Sequence, residues 1–252
     1  MLLAEMNRPQ VEALSRDVPV VIPIGAFEQH GRHLPLFTDS LLVGEIARRA
    51  EALLADSVLV TPVLWLGNSS HHLDFQGTIS PTPRTYLDLL NDLVENFLGY
   101  GFRRIVLING HGGNTVPGQQ ALFEVRQRHR SRTDLLLLLA NYWTLGSSPR
   151  DQLPELTQPS IQHACQWETS MVLALRPELV GKLEGLEPVD PGNPFLPAMR
   201  SSVTQDISRE GHVGDPAAGQ ARIGESLLQT YVLDVAALLR RVVQWDGQSW
   251  SG

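Results

Sequence analysis

Apolar positions along the chain follow two patterns in turn. Short unbroken apolar runs recur, and longer stretches with apolar residues every three or four positions lie between them. An unbroken run of four to eight apolar residues fits a strand buried on both faces, and the longer spacing fits an amphipathic helix. Residues 18–24, 58–66, 104–109 and 133–141 are therefore expected to be strands. A helix is expected over 39–55, where Leu41, Leu42, Ile46, Ala50 and Leu53 share a face and Arg48, Arg49 and Glu51 point outward. A second covers 83–100, carried by Leu87, Leu90, Val94, Phe97 and Leu98 and ended by Gly99 and Gly101. Residues 118–129 form a third, 168–175 a helical turn, and 218–245 a long closing helix.

Strands alternating with helices predict an α/β fold, three layers α/β/α around a mostly parallel central sheet. The Pro- and Gly-rich stretch 183–197 is read as a long surface loop, because the segment after it is too short to fold alone. The expectation is one domain over 1–252.

Composition narrows the class. With 42% apolar and 19% charged residues, 252 residues can bury a sizeable core. A net charge of -7 excludes a chain-wide attraction to nucleic acid or anionic membrane. Cys165 is the lone cysteine, so no intramolecular disulfide forms, in keeping with a reducing cytoplasm. The N-terminus lacks a basic region followed by an apolar core, and the run 135–140 is too short to span a bilayer. The expected setting is cytoplasmic, with a small-molecule substrate and no nucleic-acid or membrane partner.

In such sheets ligands bind beyond the carboxyl ends of the strands. Three segments qualify: GAFEQHGRHLPLFTDS (25–40), WLGNSSHHLDFQGTIS (65–80) and NGHGGN (109–114). Glu28 and His30 are two apart and share a side in extended backbone, as a hydrogen-bonded pair or as two metal ligands. Asp39 is either a helix N-cap or a third ligand. His111 sits among glycines, in a plain strand-to-helix turn or at a place of close ligand approach. In QHACQWETS (162–170), His163 and Glu168 are an exposed imidazole and a helix-start carboxylate, or a fourth piece of the site. Trp167 between them is core or a substrate contact. Together Glu28, His30, Asp39, His111 and Glu168 offer two imidazoles and three carboxylates. Mixed nitrogen and oxygen donors suit Zn, Mn or Fe. Five are too many for a simple one-metal site and enough for two metals sharing a carboxylate, an arrangement that activates water and polarises a carbonyl.

EQHGRHLPLFTD resembles the creatininase-family signature E-Q-H-G-x-H-L-P-x-x-T-D. NGHGGN is similar to that family's second motif, and H-A-x-x-x-E-T-S over 163–170 to its third. FQGTIS (75–80) and GHVGDP (211–216) are similar too, so the resemblance runs in order from about 19 to 224. It implies a creatininase-like fold, homo-oligomers that are often hexamers, and an amidohydrolase centre with two divalent ions per chain. By the same resemblance Glu28, Asp39 and His111 hold one metal, His30 and Asp39 the other, and His163 is catalytic. His33 would hold a ligand carboxylate or the loop.

Creatininase proper carries a glutamate two residues after the second-motif histidine, where this chain has Gly113. This points away from creatinine and toward glycine-bearing branches similar to the mycofactocin-precursor peptidase and formamide hydrolases. Glu168 is the candidate to make good the lost carboxylate, as a ligand beside His30 and Asp39 or as an acid–base group. The expected activity is hydrolysis of a C–N bond in a cyclic amide or formamide by a metal-activated water, with His163 passing a proton to the leaving nitrogen. The alternatives are a hydrolase of an oxidised cyclic sugar, inositol or lactone, a peptidase for a modified peptide, and a non-catalytic metal-binding subunit. Ser69, His72, Asn114 and Trp167 are the expected substrate contacts.

Overall fold

In the computed structural model, residues 1–54, 56–195, 197–198 and 200–248 are described. A short helix α1 (Arg8–Glu12) precedes β1 (Val20–Ile24). Next come α2 (Thr38–Ala52), β2 (Leu59–Val60), α3 (Pro83–Gly99), β3 (Arg104–Asn109), α4 (Thr115–Arg128) and β4 (Leu136–Asn141). The chain closes with α5 (Gln166–Leu175), a single turn α6 (Thr204–Ile207) and α7 (Ala221–Gln244).

All four strands are parallel, in the order β2-β1-β3-β4. Successive side chains of a strand point to opposite faces, and the core divides accordingly. Val21, Val106 and Ile108 join α2, α5 and α7 on one face. Val20, Ile22, Ile24, Ile105 and Leu107 join α3 and α4 on the other. The three-layer α/β/α expectation therefore holds. From β1 the chain steps outward to β2 through α2, then returns across β1 to β3 through α3 on the opposite face. The reversal leaves a crevice between the ends of β1 and β3, the place where such sheets take ligands. Ile24 and Asn109 are register partners, and Gly110 N donates to Ile24 O at 2.8 Å. Gly25 N donates to Leu64 O at 2.9 Å. Backbone pairing thus brings all three expected loops to one spot.

The element boundaries differ from the sequence expectation in instructive places. The strand expected over 58–66 is only Leu59–Val60, because Pro62 has no N–H for the ladder. Leu64 still donates to Pro23 O further on. Helix α4 begins three residues before position 118 and takes Pro117 within its first turn, where the missing N–H breaks no helical bond. Helix α3 starts as expected, with Pro83 at its first position and the Thr82 hydroxyl accepting from Thr85 N, a cap worth about 1 kcal/mol. The end of the helix expected over 39–55 falls on Ala55, which lies outside the described residues, as does Leu196 of the expected loop 183–197. Among the described residues no helix is long and apolar enough to cross a membrane.

Candidate metal centre

Beyond the ends of β1 and β3 lies a cavity of ≈ 360 Å³. Its lining includes Glu28, Asp39, His72, His111, His163 and Glu168. Glu28 and His30 are fully buried, and Asp39, His111 and Glu168 nearly so.

Each donor is set by local structure. Asp39 is the second residue of α2 and not its cap, and Phe37 in the cap position makes no side-chain bond. Asp39 Oδ1 is 3.3 Å from His30 Nε2, and its Oδ2 is 3.1 Å from His111 Nδ1. Its two oxygens therefore serve two imidazoles. Glu28 Oε1 lies 3.4 Å from His111 Nδ1, 3.4 Å from His163 Nδ1 and 3.3 Å from His72 Nε2. Glu168 divides its carboxylate. Oε2 accepts from Ala164 N at the entry to α5, as a helix-start glutamate does, and Oε1 is 3.9 Å from His30 Nε2. Ala164 itself has φ 50, an uncommon value for a residue with a side chain, and this bend turns the preceding His163 into the cavity.

The outward nitrogens fix the inward ones. His30 Nδ1 lies 3.1 Å from Glu28 O, His111 Nε2 lies 3.0 Å from Asn68 O, and His163 Nε2 lies 2.8 Å from Gln29 O. A carbonyl only accepts, so each ring donates there. In the neutral imidazole the inward nitrogen is then a bare lone pair. Three lone pairs face carboxylate oxygens. Glu28 Oε1 and Oε2, Asp39 Oδ2 and His30 Nε2 are all buried without a hydrogen-bond partner. Each such atom costs about 1–3 kcal/mol unpaired. Cations between them remove that cost, so the donor set fits divalent metal ions. Glu28, His30 and Asp39 present ligand atoms within 4.8 Å of one another, as do His30, His163 and Glu168.

The titration of the cation-free site has the same meaning. Burial pushes the Glu28 and Glu168 carboxyls up to about 7. Burial opposes protonation of His30 and His111, but the carboxylates outweigh it: Asp39 first for His30, Glu28 first for His111. The two rings are raised to about 10 and about 9. Burial also opposes the charge of Asp39, yet His30 and His111 hold it well below the usual range. Protons on His30 and His111 thus stand where cations belong. His72 and His163 go the other way. Burial and then neighbouring imidazoles lower both, His72 to about 2.

The remaining expected residues divide. His72 borders the cavity. Ser69 is buried behind His111, its hydroxyl 3.4 Å from Nε2. Asn114 faces away from the cavity: its side chain accepts from Asn68 N and donates to Gly25 O, tying the three loops together. Trp167 is 2% exposed and packs in the core shared by α2, α5 and α7. Asn114 and Trp167 therefore depart from the expectation of substrate contacts. His33 holds the loop and not a ligand carboxylate, through Thr169 Oγ1 at 2.9 Å and Gly181 N at its carbonyl. At Gly113 a Cβ would meet Asn68 O at 2.2 Å and His71 Cε1 at 2.9 Å, so the 68–72 loop fills the space above it. The sequence reading missed His71 and Gln29. His71 stacks on His111 and is within ligand reach of Glu28. Their only signal was position, in a strand-end loop and between two candidate ligands.

The family model described as creatininase, creatinine amidohydrolase, matches residues 4–239. A mycofactocin precursor peptide peptidase from Mycobacterium tuberculosis is 31% identical over 242 residues, covering 91% of this chain and 86% of that protein. A creatinine amidohydrolase from Pseudomonas putida is 29% identical over 267 residues, covering 95% and 96%. A solved mutant creatininase complexed with creatine superposes with a TM-score of 0.83 at 26% identity, covering 96% and 98%. A Zn-Zn type mutant and a Mn form superpose with TM-scores of 0.81 and 0.82, each at 26% identity and covering 95% and 97%. The fold, the motifs in order and the match over most of the sequence agree: the chain belongs to the creatininase family of metal-dependent amidohydrolases.

Proposed function

We propose that this protein hydrolyses a C–N bond of a small amide, cyclic or a formamide, at a centre of two divalent ions per chain. The observation that carries this reading is the set of three imidazoles, each donating outward to a backbone carbonyl and presenting a bare nitrogen to buried carboxylates. Glu28, Asp39 and His111 would hold one ion, and His30, Asp39 and Glu168 the other. Ions of zinc, manganese or iron there would lower the pKa of water and polarise a carbonyl. His163, with Nδ1 toward the cavity and a ring kept neutral by burial, is placed to accept a proton from water and return it to the leaving nitrogen.

The lining supports an amide over a sugar. Besides its polar donors, the cavity is lined by the apolar or aromatic Tyr142, Trp143, Ile161, Ile207 and Val213. A polyhydroxylated ring would leave its hydroxyls unpaired there. The same lining favours a second reading, a modified peptide carrying an apolar group, in keeping with the peptidase relative. A hydrolysis screen with zinc- and manganese-loaded protein tests both. Formamides, lactams, short peptide amides, lactones and ketosugars would be offered. Turnover of the last two classes alone would overturn the amide reading.

We also propose that the chain works in the cytoplasm as a homo-oligomer, possessing in Phe27, Phe37 and Trp65 an edge-to-face aromatic cluster left partly open to solvent.

A further inference from the structure

His72 and His163 share one wall of the cavity, their ring centroids 4.2 Å apart. Between them runs the side chain of Gln29. Its amide orientation is fixed by two backbone groups whose roles cannot be exchanged. Oε1 accepts from Gly31 N at 2.9 Å, and Nε2 donates to Gly211 O at 2.8 Å. One amide hydrogen is left. His72 Nδ1 lies 2.8 Å from Gln29 Nε2 and His163 Nε2 lies 3.1 Å from it. His163 Nε2 already has the Gln29 carbonyl at 2.8 Å, an acceptor only, so that nitrogen carries a proton. The free amide hydrogen therefore goes to His72 Nδ1, which must be bare. In the neutral ring the proton of His72 is then on Nε2, the nitrogen that faces Glu28. The Thr204 hydroxyl, 3.0 Å from His72 Nδ1, can rotate to donate as well. Gly211 makes the arrangement possible: its φ is +80, and a Cβ there would lie 2.1 Å from Gln29 Oε1.

We propose that Gln29 sets opposite proton roles on these two rings, His163 presenting a bare Nδ1 as proton acceptor and His72 presenting Nε2–H as a hydrogen-bond donor to the substrate's carbonyl oxygen. The inference rests on the hydrolase reading above. Glu28 Oε1 accepts no aligned hydrogen bond, so the His72 proton is available to a substrate. As the water oxygen bonds to the amide carbon, the water proton passes to His163 Nδ1 and the carbonyl electron pair moves onto oxygen, where His72 Nε2–H meets it. As the C–N bond breaks, His163 returns the proton to nitrogen. Amide plus water gives acid plus amine, and no other reactant is needed. His72 is thus a catalytic donor and Gln29 a positioning residue.

The test is a two-bond proton–nitrogen NMR spectrum of protein labelled with nitrogen-15 histidine, recorded with chelator and with zinc. His72→Gln and His163→Asn assign the two rings by loss of their signals. In the unaltered protein both rings should be neutral with the proton on Nε2. Gln29→Met should release His72 into the Nδ1–H form or a mixture and leave His163 unchanged, with zinc content the same. Its kcat on an amide found in the screen should fall about 10–100-fold with KM little altered, as loss of an outer positioning partner does. His72→Gln, which keeps an N–H, should retain more kcat than His72→Leu. Nδ1–H on His72 in the unaltered protein overturns the proposal without recourse to any variant. So does a Gln29→Met spectrum in which His72 is unmoved. The stated tautomers with no amide turned over would instead sink the amide reading, and the donor role with it.

Discussion

His111 Nδ1 stands 3.1 Å from Asp39 Oδ2, and neither atom has a proton to give when the ring is neutral and its Nε2–H is engaged by Asn68 O. The other Asp39 oxygen faces His30 in the same way. On the two-ion reading proposed above, this one carboxylate would serve both ions. Asp39→Ala should therefore release both ions, and elemental analysis of the purified variant should find none. Two ions per chain in that variant would return Asp39 to a helix-start carboxylate that merely favours the α2 dipole.

Glu168 makes two bonds' worth of claims on one carboxylate, one to Ala164 N and one toward His30. Glu168→Gln keeps the shape and can still accept at one oxygen, so α5 should remain. The expected result is loss of about one of two ions together with turnover. Both ions retained with turnover lost would make Glu168 an acid–base group. Both retained with normal turnover would leave it only its place at the helix start.

His163 touches the site without being enclosed by it, its side chain 18% exposed while Glu28 is fully buried. His163→Ala should keep its metals and lose about 10²–10⁴-fold in kcat, the usual weight of a general acid–base group. Loss of an ion in this variant would show that Nδ1 ligates, as its reach to Glu168 and His30 allows.

Most of the candidate ligand set was legible because it is local. Glu28, His30 and Asp39 lie in one strand-end loop, and the apolar run of β1 announces where that loop begins. His111 is likewise marked by RIVLIN, the strand before it. Asn114, Trp167 and Gln29 were not legible, because their roles depend on distant partners. Asn114 answers to Asn68 and Gly25, and Gln29 to His72, His163 and Gly211. A Trp two residues into a helix has the same sequence signature whether that face meets core or cavity. The short β2 was readable in principle, since Pro62 forbids the ladder bond that a nine-residue strand requires.

Self-assembly is tested by light scattering at micromolar concentration. The chain mass is 27.9 kDa, and a multiple of it is expected. If the patch around Phe37 and Trp65 is the contact, Trp65→Glu should lower the mass toward one chain, because a buried interface does not accept an unpaired charge. A mass of one chain throughout the range counts against assembly altogether.

Metal removal should change the sign of the pH response. In the cation-free site Glu28 and Glu168 are raised from 4.5 to about 7, and His30 and His111 from 6.5 to about 10 and about 9. All four folded values lie above the unfolded ones. At these four groups the folded chain binds more protons, so they make stability fall as pH rises, while His33 and His71, lowered from 6.5 to about 4, His72, lowered to about 2, and His163, lowered well below 6.5, bind fewer when folded and act the other way below about 6.5. The carboxyl contribution is full below 4.5 and lost through about 7; the imidazole contribution is full below 6.5 and lost through about 9 and about 10. Asp39 is shifted down, so its contribution is lost only in strong acid and does not enter this window. Above the range in which the lowered rings act, chelator-treated protein should thus melt at progressively lower temperature from about pH 7 to about pH 9. Metal displaces those protons, so its affinity should rise over the same range and loading should release protons at neutral pH. Thermal melts with and without zinc measure the first effect. Calorimetric titration in two buffers of different ionisation enthalpy counts the protons. A flat or rising melting curve without metal, with no proton released on loading, would show that the inward nitrogens of His30 and His111 are not where the cations bind.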